Sequence, residues 1–113
     1  MPSEAVRAQL ALLSAAFRGT LAPRLAEVEA AWTRLQADGS AEASAELRNV
    51  THGLVGSAGT FGLHDVGDAA RPIDLALAPF AAAQQAPPPA VVTSLAPVVT
   101  ALLAVLRRHL AQA

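Results

Sequence analysis

The chain contains no cysteine, no tyrosine and no lysine. Without cysteine there can be no disulfide, no thiol nucleophile and no cysteine metal site, an absence compatible with a cytoplasmic protein. Without lysine, all fixed positive charge falls to eight arginines, and the formal net charge is −1. They form none of the basic stripes that nucleic-acid binding needs, so no nucleic-acid partner is expected. Aromatic residues make up only 4% of the chain. The core must therefore come from aliphatic side chains. Hydrophobic residues reach 53%, largely alanine and leucine, which favours helices packed by aliphatic contacts. No strand pattern and no internal repeat is visible. The start, Met-Pro-Ser-Glu, lacks the basic region and apolar run of a signal peptide. A length of 113 residues is enough for one compact domain with one core, spanning 1–113.

One apolar run needs a membrane test. Ala90 to Leu106 is about as long as the shortest spanning helix, roughly 17 residues. Its small and polar positions, Thr93, Pro97, Thr100 and Ala104, fall opposite Val92, Leu95, Val99, Leu102 and Leu106. That two-sidedness predicts an amphipathic core helix rather than a lipid-facing one, and no membrane partner is expected.

The remaining helices follow from periodicity and caps. Val6, Leu10, Leu13 and Phe17 recur at helical spacing, with Ser3 placed as N-cap and Glu4 in the first turn. The register resumes at Leu21, Leu25, Val28, Trp32 and Leu35, with Thr20 expected as N-cap, Pro23 in the first turn and Trp32 as a core anchor. Asp38-Gly39-Ser40 should stop this helix and cap the next. Val66, Ala70, Ile73, Leu77 and Phe80 mark another helix, with Pro72 expected to kink it. Gln84 to Pro89, with three successive prolines, reads as an extended linker, and the last helix is expected from about Ala90 to Leu110. The fold expected is all-α: an antiparallel four-helix bundle with an additional short N-terminal helix lying across one end.

The stretch from Ala45 to Leu63, AELRNVTHGLVGSAGTFGL, carries the chemistry. As a helix it places Leu47, Val50, Leu54, Ala58 and Phe61 on an apolar stripe, and Arg48, His52, Val55, Gly56 and Gly59 on the other side. His52 should look outward. Each interior glycine costs a helix about 1 kcal/mol relative to alanine, so the series needs a reason. Gly56 is expected to leave bare backbone where a partner can reach the imidazole, and Gly53 and Gly62 to allow tight packing. His64 and His109 are expected to be ordinary surface or capping residues. The glycines are not a phosphate-binding P-loop, which needs a preceding strand and a Gly-Lys-Ser/Thr end, and no hydrolase signature is present.

The segment His52-Gly53-Leu54-Val55-Gly56-Ser57-Ala58-Gly59-Thr60-Phe61-Gly62 resembles the signature of histidine-containing phosphotransfer (HPt) domains of two-component relays: a histidine followed by x-L-K-G, a small-residue run and a glycine. Length and later apolar spacing fit as well, so the resemblance covers essentially the whole chain. There is one departure. The family usually has lysine three residues after the histidine, where this chain has Val55.

The resemblance implies that His52 is a phosphoryl acceptor, exchanging the group with a response-regulator receiver domain or a sensor histidine kinase. An imidazole nitrogen is a competent nucleophile toward an activated phosphoryl group. No cofactor or metal is expected on this chain. The Mg²⁺ and the aspartate are expected on the partner receiver domain. Arg48, Val55, Gly56 and Gly59 would form the docking surface and phosphoryl environment, with Arg48 supplying the charge that Val55 cannot. A monomer in the cytoplasm is expected. The alternative, favoured by Val55, is a non-catalytic HPt-like binding module that docks a receiver or kinase without transfer.

Overall fold

A computed structural model describes residues 3–112. The elements are α1 (Glu4–Arg18), α2 (Leu21–Asp38), α3 (Ala41–Ala58), a 3₁₀ turn (Gly59–Phe61), α4 (His64–Ala83) and α5 (Pro89–Ala111). The described residues contain no strand.

Caps explain most of the boundaries. Ser3 accepts from the Val6 amide and Ser40 from the Ala43 amide, so each satisfies a free donor of the helix it opens. Gly39 ends α2 in the left-handed conformation, φ 62°, that a side chain disfavours. Thr20 holds the N-cap position expected of it, but its side chain makes no capping bond: the hydroxyl turns back to donate to the Phe17 carbonyl at 2.6 Å and accepts from Arg24 Nε at 3.1 Å. Gly62 departs from expectation: it sits at φ 80° with open space around it, so a left-handed turn, not tight packing, requires the glycine. α4 continues through Pro72 and Pro79, and α5 through Pro97. All three prolines are exposed. The carbonyls left without a bond one turn earlier in α4, those of Asp68 and Leu75, belong to exposed residues and can be hydrated.

Helices α2 to α5 close into a ring, each packed on its neighbours. Cross-helix side chains fix the directions. Arg34 pairs with Glu46 while Arg24 lies beside Gly53, so α2 and α3 run oppositely. Gly67 lies beside Ala58 and Asp74 beside Arg48, so α3 and α4 do too. The core is a continuous aliphatic cluster including Val28, Leu35, Leu47, Leu54, Ile73, Leu77, Leu102 and Leu106. Trp32, Val50 and Phe61 are half-buried at its margin. Two polar side chains, Ser44 and Thr51, are buried on α3; the Thr51 hydroxyl donates to the Leu47 carbonyl at 3.0 Å.

The segment Pro89–Ala111 is long and apolar enough to cross a membrane by length and composition. In the fold it turns Leu95, Val99, Leu102 and Leu106 into the bundle, the stripe the periodicity predicts. Its last turn is tied down. His109 Nε2 lies 2.9 Å from Asp65 at the start of α4, and Arg108 donates to the same carboxylate at 2.9 Å. His109 is therefore a largely covered clamp residue, 12% exposed at the side chain, rather than the ordinary surface or capping residue expected.

α1 does not lie across the bundle end. It has fifteen residues, meets the remainder through the 3₁₀ turn, and leaves Val6, Leu10, Leu12 and Leu13 exposed. Only its last turn is anchored. Phe17 is buried and stacks on Phe61 with ring centroids 5.1 Å apart, and Ser14 donates to the Phe61 carbonyl. The molecule is 50 Å long. A 23-residue helix spans only about 35 Å, so α1 projects beyond the bundle. Gly19 and Thr20 both hold near-helical dihedrals, which lets α2 nearly continue α1.

Candidate functional site

His52 lies in the middle of α3, on the face turned away from Leu47, Leu54 and Ala58. Its side chain is 60% exposed. It stands on an open face, as the helical spacing predicts.

The structure joins it to two charged residues. Asp74 on α4 reaches across so that Oδ2 is 3.2 Å from His52 Nδ1. Arg48, one turn before His52, donates from Nε to Asp74 Oδ1 at 3.1 Å. Arg48 Nη2 also lies 3.4 Å from His52 Nδ1, at the long limit for a hydrogen bond. One carboxylate thus serves an arginine with one oxygen and the imidazole with the other. The Asp74 side chain is only 11% exposed, so these two partners take the place of water around it.

Sequence reasoning passed over Asp74. It falls between Ile73 and Leu77, two core residues of α4, and reads as one polar residue in an apolar segment. A signal was present. Four residues after Ala70 and three before Leu77, a carboxylate sits at the margin of the buried stripe and must find a donor on the neighbouring helix.

The other expected site residues divide. Val55 is half-buried against the core. Gly56 is exposed, and a Cβ added there would meet nothing within 4 Å. It is the bare patch next to the imidazole that the sequence predicts. Gly59 opens the 3₁₀ turn with the His64 ring beside it, 3.6 Å from an added Cβ. Gly53 faces α2, where Arg24 Nη1 would be 3.2 Å from a Cβ, consistent with the tight packing expected of it. Among the described residues no three histidine, aspartate or glutamate side chains are grouped to hold a metal ion.

Fold and site together define a helical bundle that presents one exposed, carboxylate-supported histidine on its surface. The model of the Hpt domain family matches residues 12–112, nearly the whole chain, and the protein belongs to that family. Membership makes it a phosphotransfer-related module of two-component systems, a class that works with receiver domains and histidine kinases. No curated protein and no solved structure gives a significant match.

Proposed function

We propose that His52 accepts a phosphoryl group from a receiver-domain phospho-aspartate, or from a histidine kinase, and passes it to another receiver. The observation that carries this reading is an exposed imidazole braced on one edge by Asp74 and left open on the other beside Gly56. Phosphoryl transfer calls for positioning and charge neutralisation more than for covalent machinery. The chain supplies the nucleophile. The partner receiver brings the aspartate and its Mg²⁺. Arg48 contributes the cation that Val55 cannot, and Val55, Gly56 and Gly59 form the contact face. On this reading the protein acts as a monomer in the cytoplasm, and it is a phosphorylated intermediate rather than an enzyme with its own substrate pocket.

A second reading, a binding module that docks a receiver or kinase without transfer, is favoured by Val55 alone. One assay separates the two. A phosphorylated receiver or a kinase is mixed with the protein and label is followed onto His52, with His52→Gln as control. Label on the wild type and none on the variant is expected; label on neither with every partner tried leaves only the binding module. Arg48→Ala should slow transfer, and an unchanged rate would remove Arg48 from the charge-neutralising role.

A further inference from the structure

We infer that Arg24 is a docking cation: it receives a carboxylate from the rim of the partner receiver's phosphorylation site and so helps bring that site onto His52. The inference rests on the phosphotransfer reading above.

The pairing of the charges singles out this arginine. Arg34, Arg48, Arg71, Arg107 and Arg108 each hold a carboxylate. Arg7, Arg18 and Arg24 hold none among the described residues. Arg7 and Arg18 are exposed on α1, where water satisfies them. Arg24 is half-buried, and a cation that gives up water without gaining an anion is costly to keep. Glu27, three residues on and lining the same cleft, makes no ion pair with it.

The fold fixes this charge in place all the same. Arg24 Nε donates to Thr20 Oγ1 at 3.1 Å, and the guanidinium lies over the Phe17 ring, 5.5 Å from its centroid. Nη1 comes against α3 at Gly53, where an added Cβ would be only 3.2 Å away. Neither Nη nitrogen has a hydrogen-bond partner among the described residues. Held by a hydroxyl, a ring and a bare stretch of helix, the fork is preorganised for an anion that this chain does not contain.

Its position gives that anion a source. Gly53 follows His52 directly, so the seat of Arg24 is one residue step around α3 from the imidazole, about 1.5 Å along the axis. Gly56 projects between those two directions and is exposed. The α3 surface between imidazole and guanidinium is therefore glycine, and a body that reaches the ring over Gly56 meets Arg24 next. On the opposite edge of the ring Arg48 is already engaged by Asp74. A receiver needs its aspartate and further oxygen ligands for Mg²⁺, which rims its site with carboxylates. The cleft beside Arg24, about 430 Å³ between α2 and α3, has room for one acidic side chain from that rim. A charge in such a place acts on the rate and register of association more than on the chemical step.

The test uses the receiver that delivers label to His52 in the assay above. Acceptance at sub-saturating receiver is timed for wild type, Arg24→Gln, Arg24→Lys and Arg24→Glu. Each rate is divided by the same protein's rate with the small donor phosphoramidate, which brings no protein surface. A variant that disturbs the fold or the imidazole lowers both rates and leaves the ratio alone. At about 0.1 M salt, where charges are felt over about 10 Å, the ratio should fall about tenfold in Arg24→Gln and further in Arg24→Glu, while Arg24→Lys keeps most of it. At about 1 M salt, with a screening length of about 3 Å, these differences should close. A ratio in Arg24→Gln equal to wild type at the lower salt overturns the inference. So does a deficit that high salt leaves unchanged, or Arg24→Lys as slow as Arg24→Gln. Failure of the relay reading looks different: no receiver labels His52 in any of these proteins.

Discussion

His109 Nε2 lies 2.9 Å from Asp65, joining the last turn of α5 to the first turn of α4. Partial burial by itself would raise the Asp65 carboxyl. Hydrogen bonds from His109 and Arg108, the charge of His109 and the Val66 amide outweigh it and hold the group below its ordinary value of 3.8. A depressed carboxyl contributes stability above its unfolded pKa and loses that contribution as pH falls through the folded value. Asp65→Asn should therefore melt a few degrees lower than wild type at neutral pH, and the gap should narrow below 3.8. Because the Asp65 side chain is 41% exposed, solvent screening keeps the effect small. Thermal melts followed by circular dichroism across pH check it; a gap that widens on acidification contradicts the assignment.

Gly56 separates stability from docking. An added methyl group meets no atom, so Gly56→Ala should stabilise α3 by up to about 1 kcal/mol. A long side chain, as in Gly56→Gln, should keep the fold and the reaction with phosphoramidate, yet cut transfer from a phosphorylated receiver by about tenfold, the equivalent of about 1.4 kcal/mol in the barrier. If Gly56→Gln accepts from the receiver at the wild-type rate, partners approach from elsewhere.

Val55 is half-buried, and a lysine stem can lie along apolar surface while its ammonium reaches water. Val55→Lys should therefore fold. It should speed acceptance from a phosphorylated receiver by roughly the few-fold to tenfold that about 1 kcal/mol of added charge stabilisation allows. Rapid-quench measurement of labelled His52 gives the rate, and a slower variant would show that Val55 is needed for its apolar contact.

α1 is held at one end. Truncation through Leu13 removes exposed leucines and leaves Phe17 on Phe61, so the melting temperature should fall by no more than a few degrees. Phe17→Ala, which opens the buried contact, should cost about 3 kcal/mol or more. Urea unfolding of both variants compares them. Equal losses would mean that the whole length of α1 packs on the bundle.

Much of the bundle was legible in order along the chain. Leu47, Leu54 and Ala58 announce a buried face at helical spacing, and His52 falls opposite them by the same count. Ser3, Gly39 and Ser40 mark their boundaries because a cap acts within one turn of itself. At the Thr20 hydroxyl, Gly62 and His109 a specific partner or dihedral overrides the local preference: a carbonyl behind Thr20, a left-handed turn at Gly62 and a carboxylate from another helix at His109.

An all-helical chain, an aliphatic core and an outward histidine beside a bare glycine are readable from the amino acids alone, since each follows from the 3.6-residue repeat and the properties of single residues. What stands behind that histidine is set by how the helices pack. Asp74 lies 22 positions further along the chain, and only the antiparallel packing of α4 on α3 brings its carboxylate to the imidazole and to Arg48. Which side chains meet across two helices depends on their relative rotation and offset, and no repeat within either helix encodes those.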